Sequence, residues 1–190
     1  KEEFERELAE YESALKIAID PSKIPHSGTG ILSNPLQKLK VTQYFGNTPF
    51  ATKNPQVYNG KGHTGVDFAA SIGTPVYSAL EGTVIGVANT DLAPRCYSYG
   101  KWIMVKHKNG LSTLYAHLSL QIVRNGDQVT TGQLIGYSGN TGYSTGPHLH
   151  FGVYASEGVR VTTLPGSVNC KGVLMPLADP KAYLNPLSFL

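Results

Sequence analysis

His63 and Asp67 stand four residues apart, and His148 and His150 two apart. In an extended strand, residues i and i+2 leave the same face, and so do i and i+4. His63 and Asp67 can therefore converge, and His148 and His150 can share a face. Neutral imidazoles and one carboxylate are a donor set suited to zinc, and three protein ligands with an open position mark a catalytic site. Either pair alone is a common coincidence on a solvated surface. Three further histidines complete the set: His26, His107 and His117.

The elements that must position these groups are short. Five runs rich in β-branched and aromatic residues, at 83–87, 102–106, 112–118, 133–137 and 149–154, are each bounded by Gly, Asn or Pro. That texture predicts an all-β body of short antiparallel strands. Between the second and third runs, Asn109-Gly110 predicts a two-residue hairpin turn. Paired residue numbers would then sum to 219, with His117 across from Trp102. His107 would lie on the opposite sheet face with Ile103 and Val105, as a structural or surface residue.

Charge divides the chain. It carries 16 Lys+Arg and 13 Asp+Glu, yet seven of the acids fall in residues 1–20, so that segment is −4 and the remainder +7. Phe4, Leu8, Tyr11, Leu15 and Ala18 recur at heptad spacing, which predicts an acidic helix. It would be either a coiled-coil remnant, open to a helical partner or self-association, or an element docked on the body. Residues 21–40, with Pro21, Pro25, Gly28, Gly30 and Pro35, read as a loop-rich linker, and 41–190 as the body. No apolar run is long enough to span a membrane. The bases are scattered, which argues against nucleic acid, while a basic body suits an anionic polymer such as a cell wall. The chain begins at Lys1, so an upstream signal or anchor could precede it. Cys96 and Cys170 could form a disulfide or remain two buried thiols.

The flanks of the two pairs add specificity. Gly62-His63-Thr64-Gly65-Val66-Asp67-Phe68-Ala69 and Ser144-Thr145-Gly146-Pro147-His148-Leu149-His150-Phe151 are joined, in order, by Gly73-Thr74-Pro75-Val76, Tyr115-Ala116-His117-Leu118, Gly126-Asp127-Gln128-Val129 and Ser138-Gly139-Asn140-Thr141-Gly142. Over about residues 41–155 this resembles the M23 family of zinc metallopeptidases, the lysostaphin-like or LytM-type endopeptidases. The resemblance implies a compact antiparallel β-fold of the duplicated hybrid motif type that cuts peptide bonds in peptidoglycan stems or cross-bridges. It implies His63, Asp67 and His150 as ligands of Zn2+, and His117 and His148 as non-ligand active-site histidines. Of these, His117 is taken as the general base, with His148 orienting water or stabilising the oxyanion. Tyr58 and Asn47 are candidates for oxyanion or substrate contact, and His26 could cap the open metal position.

Departures from the family pattern are an enlarged loop at 89–99 and an extension from about residue 156, where Asp179 should cap a short helix at Pro180. A cell-envelope setting, periplasmic or extracellular, makes a Cys96–Cys170 disulfide the expectation. Two other readings compete: an envelope interaction protein that localises or activates other hydrolases, and a carrier domain of lipoyl type. The second shares only strand and turn grammar and leaves the histidines unexplained.

Overall fold

The computed structural model describes residues 6–7, 10–12, 19–47 and 62–190. Its strands are β1 (Val41–Gln43), β2 (Val66–Ala69), β3 (Pro75–Tyr77), β4 (Gly82–Asn89), β5 (Lys101–Lys106), β6 (Leu111–Gln121), β7 (Gln128–Val129), β8 (Leu134–Ser138), β9 (His148–Ala155), β10 (Val159–Thr163), β11 (Leu174–Ala178) and β12 (Tyr183–Leu184). The main sheet runs β1-β2-β9-β6-β5-β4-β7, with β12 also on β9 and β8 joining β3 to β6; β10 and β11 form a separate pair. Every pairing is antiparallel. The all-β expectation is met, and the five runs read from sequence fall in β4, β5, β6, β8 and β9.

Alternation sorts the two faces. Leu149, Phe151 and Val153 of β9 join Val66, Phe68, Ile103, Val105, Leu111 and Tyr115 in one core. Tyr154 of β9 joins Trp102, Met104, Leu114 and Ala116 in a second core on the other side. With both faces covered, the central strands read as nearly unbroken apolar runs. Residues ahead of β1 close the first core: Leu32 and Leu36 are buried in it, and the backbone N–H of Leu32 donates to the carbonyl of Phe189 at the C-terminal end.

The β5–β6 hairpin departs from the two-residue turn. Observed pairs such as Lys106↔Ser112 and Ile103↔Tyr115 sum to 218, and the N–H of His107 donates to the carbonyl of Leu111. The loop therefore holds three residues, ending on Gly110 at φ +85°, the geometry of a three-residue hairpin with a left-handed closing glycine. The Asn109 carboxamide accepts from the N–H of Leu111 at 3.1 Å, which stabilises the longer loop. At the far end Lys101 pairs with Leu118. A bulge intervenes there, with Ala116 and His117 together opposing Trp102. His117 supplies the extra residue at φ +59°, the one positive φ outside glycine among the described residues. Simple alternation in the observed register would point His117 with Tyr115 into the first core. The bulge turns it to the other face instead.

His107 remains on the first-core side, buried in a hydrogen-bond chain. Its Nδ1–H donates to the Glu81 carbonyl at 2.8 Å, and Nε2 accepts from the Thr113 hydroxyl at 2.9 Å. Burial lowers its pKa, with the Glu81 bond opposing. The unfolded chain, with an ordinary histidine near 6.5, then binds a proton that the folded chain refuses. Stability should fall as pH drops below about 6.5, by up to ~1.4 kcal/mol per pH unit. Urea titrations between pH 7 and 5 should show a shallower pH slope for His107→Gln than for the parent chain; equal slopes would refute this.

Cys96, in the loop between β4 and β5, is disulfide-bonded to Cys170, ahead of β11. Around the bond lie Ala93, Leu164, Val173, Met175 and Leu177, with Tyr11 packed against them. Removing a crosslink that closes 74 residues of chain should cost about 4 kcal/mol on the chain-entropy account. A double Cys96→Ser/Cys170→Ser variant should lower the urea midpoint accordingly, and an unchanged midpoint would contradict it.

Arg6, Glu7 and residues 10–12 are helical; Phe4, Leu8, Leu15 and Ala18 of the heptad pattern lie outside the described residues. The described part docks on the body. Glu7 accepts from the N–H of Val168 at 2.7 Å and from the Asn169 amide at 3.1 Å. Glu12 accepts from the Tyr183 hydroxyl at 3.1 Å. Further on, Asp179 caps a 3-10 turn at Pro180–Ala182, accepting from the N–H of Lys181. No helix among the described residues is long and apolar enough to cross a membrane.

Candidate metal centre

Strand register alone assembles half of this site. In the β2–β9 ladder Asp67 lies opposite His150, and Ala69 opposite His148. Side chains directly opposed across an antiparallel pair are about 5 Å apart at Cβ, so the Asp67 carboxylate and the His150 ring meet as the sheet forms. His63 precedes β2 in an isolated bridge with Gly46. The turn that carries it back onto β9 needs glycine at two places. Gly62 has φ +79°, and a Cβ there would lie 2.7 Å from the Gly46 carbonyl carbon; one on Gly65 would lie 2.5 Å from the Phe151 carbonyl oxygen and 2.8 Å from the His150 ring. Gly65→Ala should therefore push His63 and His150 apart. We expect at least a tenfold loss of divalent-metal affinity by chelator competition, with the far-UV spectrum retained. Undiminished affinity would show that the turn tolerates a side chain.

His63, Asp67 and His150 are all buried, and one donor atom of each lies within 4.8 Å of the others. Asp67 Oδ1 is 3.3 Å from His63 Nε2 and 2.9 Å from His150 Nδ1. His63 Nδ1 is 3.0 Å from the Tyr44 carbonyl. A carbonyl only accepts, so Nδ1 carries the proton. Neutral His63 then turns the lone pair of Nε2 toward a carboxylate oxygen, acceptor against acceptor. His150 has the same difficulty in another form. If Nδ1–H donates to Asp67, then the buried Nε2, which has no hydrogen-bond partner, keeps a stranded lone pair. If Nε2 holds the proton, Nδ1 opposes the carboxylate. A cation among the three atoms removes the conflict, and the donor types suit one.

Charge states agree. Burial pushes the Asp67 carboxyl up, but hydrogen bonds and charge from His150 and His63 outweigh it and hold the group well below the usual carboxylate range. Burial lowers the pKa of His150. The cluster is thus an ionised carboxylate beside an imidazole held neutral, as metal binding requires.

His117 and His148 complete the cluster. Their ring centroids are 4.7 Å apart, and His117 is 6.0 Å from His150. His117 Nδ1–H donates to the Thr141 carbonyl at 2.7 Å. Burial, then the charges of His148 and His150, push its pKa down to about 3. His148 Nδ1–H donates to the Gly146 carbonyl at 2.7 Å, and its Nε2 stands 3.7 Å from Asp67 Oδ2, too long for a hydrogen bond. In three of the four rings around Asp67, a backbone carbonyl therefore fixes the proton on Nδ1 and leaves Nε2 as an acceptor. The enlarged loop at 89–99 takes part: the Tyr99 carbonyl accepts from the N–H of His117, and the Tyr99 ring lies 5.8 Å from that of His150.

The remaining candidates separate from this centre. Asn47 is exposed at the rim beside the Gly46–His63 bridge. Tyr58 lies outside the described residues. His26 is exposed, next to Pro25, which approaches Gly110 at the β5–β6 turn. That end of β6 is roughly 20 Å along the strand from His117, so capping of the metal position by His26 is not supported. Sequence reasoning did not find Tyr44, Thr141 and Gly146, because a backbone carbonyl carries no residue signature. Nor did it find Tyr183 and Pro180, which stand next to His63.

The profile of peptidase family M23 matches residues 61–162. Among curated proteins, the chain is 46% identical over 89 residues to peptidoglycan DD-endopeptidase ShyA of Vibrio cholerae serotype O1, covering 47% of this chain and 19% of that protein. It is 43% identical over 98 residues to glycyl-glycine endopeptidase ALE-1 of Staphylococcus capitis, covering 51% of this chain and 26% of that protein. The matches thus span about a fifth to a quarter of these relatives' length. Among solved structures, the catalytic domain of the antimicrobial peptidase lysostaphin from Staphylococcus simulans superposes with a TM-score of 0.57 at 31% identity, covering 78% of this chain and 90% of that one. A zinc-containing peptidase from Vibrio cholerae superposes with a TM-score of 0.53 at 30% identity, covering 70% of this chain and 38% of that one.

Proposed function

The chain belongs to peptidase family M23, and from that membership we propose that it is a zinc-dependent endopeptidase hydrolysing peptide bonds in bacterial peptidoglycan. The observation that carries the proposal is the acceptor-rich triad of His63, Asp67 and His150, buried and closed by strand register. His63 would bind through Nε2, Asp67 through Oδ1 and His150 through Nδ1. Bound zinc supplies Lewis acidity, which polarises a carbonyl and lets water ionise near neutral pH.

This chain's own residues do the remaining work. His117, with Nδ1–H on Thr141, keeps its Nε2 lone pair available to take the proton from water. His148, beside it and partly solvent-accessible, orients the water or bonds the developing oxyanion. Among the other acids of the body, no carboxylate pair competes for proton transfer, so the task falls to histidine. Zinc is favoured over other metals by the two imidazoles and one carboxylate and by likeness to a zinc-containing peptidase.

Residues 41–190 would form the catalytic β-domain, with a C-terminal extension from about 156, preceded by the helix 1–20 and the linker 21–40. The +7 charge outside residues 1–20 suits an anionic wall polymer. The disulfide suits an oxidising compartment, supporting action in the cell envelope.

The test is incubation of the purified chain with peptidoglycans of several cross-link types, with and without a chelator, and identification of released fragments by mass. Chelator-sensitive peptide cleavage of at least one type is expected. Intact material throughout would overturn the proposal and favour a role in activating other hydrolases.

A further inference from the structure

A pocket of about 220 Å³ opens beside His63, lined by Phe45, His63, Thr64, Pro180 and Tyr183. Phe45, Pro180 and Tyr183 lie outside the segment matched to the family, residues 61–162. These walls come from the flanks of that segment.

They are also held firmly. Tyr183 is paired with Tyr154 in the β12–β9 ladder, and their rings are 5.1 Å apart. Its hydroxyl donates to Glu12 Oε1 at 3.1 Å. Asp179, just before Pro180, accepts from the N–H of Lys181 at 2.9 Å and from that of Ile19 at 3.3 Å. A pocket bounded by two aromatic rings and a pyrrolidine offers apolar contact. Its polar lining, among the described residues, is a threonine hydroxyl and an imidazole whose Nδ1 is bonded to the Tyr44 carbonyl and whose Nε2 belongs to the metal triad. Among the described residues, nothing in the lining offers a counter-charge to a guest ammonium. Glu12 stands behind Tyr183 and is bonded to its hydroxyl, outside the lining, so a charged guest of either sign would be buried against apolar walls.

We propose that this pocket is a specificity subsite that takes one uncharged, apolar side chain of the peptide substrate, flanking the scissile bond, and that Glu12 fixes its Tyr183 wall. The position rests on the peptidase reading, because the pocket shares His63 with the metal triad. The volume suits a single side chain rather than a drug-sized ligand. An apolar guest should be preferred over a charged one of similar length by at least about tenfold, since even one methylene in such a pocket discriminates by that order.

The test needs no turnover. The full, zinc-supplied chain, labelled with nitrogen-15, is titrated with N-acetyl-valine amide, N-acetyl-lysine amide and N-acetyl-glutamate amide. The valine compound should shift the backbone signals of Thr64 and Tyr183, with a Kd at least tenfold below those of the other two. Tyr183→Ala should abolish the preference, and Phe45→Ala, which leaves the Glu12 bond intact, should weaken it. Equal binding of all three compounds, or a preference unchanged in both variants, would overturn the subsite. Selective valine binding with no cleavage of any peptidoglycan would uphold the pocket while sinking the peptidase reading.

Discussion

Asp67→Asn should yield a folded chain that no longer retains zinc. Asp67 is the point on which the cluster converges, with His63, His150 and His148 all directed at its two oxygens. Its carboxyl is held ionised against the cost of burial. The carboxamide has nearly the same shape and keeps an acceptor oxygen, so the β2–β9 ladder should survive. It cannot supply negative charge, and its NH2 group must face an imidazole or the ion. Loss of an outer-shell partner to a metal ligand typically costs 10–100-fold in affinity. Loss of the only anionic donor should cost at least about 100-fold. Chelator competition would measure the affinity and far-UV dichroism the fold. Turnover should fall below detection in step with metal content. Zinc affinity equal to that of the parent would remove Asp67 from the ligand set.

His117 should behave in the opposite way. His117→Ala is expected to keep its zinc and lose turnover by about 10²–10⁴-fold, the usual contribution of a positioned acid or base. The backbone supplies a second, independent readout. At φ +59° a residue with a Cβ carries a cost of about 1–2 kcal/mol that glycine does not. His117→Gly should therefore be more stable than His117→Ala by about 1 kcal/mol, although both are inactive. Urea unfolding of the two variants, beside metal analysis, would check this. Zinc lost from His117→Ala would make it a ligand, and equal stabilities would mean the bulge relaxes when the ring is removed. The strain is local, and it is what brings the ring onto the metal side of the sheet.

The chemistry was legible because it lies in residue types and short spacings: His148 and His150 share a face of β9, while His63 reaches Asp67 through the glycine-dependent turn before β2 rather than along one strand. Strands β4, β5, β6, β8 and β9 were legible for the same reason, since β-branched and aromatic runs with glycine boundaries are local signals. The β5–β6 register was not. Asn109-Gly110 serves a two-residue turn and a three-residue turn equally well, and the Asn109 side chain decides for the longer loop. Without the compensating bulge at His117, the inferred facing of His117 and Trp102 would have failed. A bulge that uses histidine instead of glycine leaves no mark in sequence. The role of the acidic helix was equally open, because its heptad pattern fits a coiled coil or a docked element. In its described part, Glu7 and Glu12 contact residues more than 150 positions away. The Tyr183 wall depends on such a distant partner too.

The place of β9 bears on when this molecule becomes able to act. It carries His148 and His150, and its partners β2, β6 and β12 come from both sides of it in the chain. His150 meets Asp67 across 83 residues, and contacts of that span form late and slowly relative to local ones. A chain extending only to residue 147 holds His63, Asp67 and His117 but no strand to close them into a centre. The centre therefore closes only once β9 is in place, and the same ladder that joins the sheet joins the candidate metal ligands.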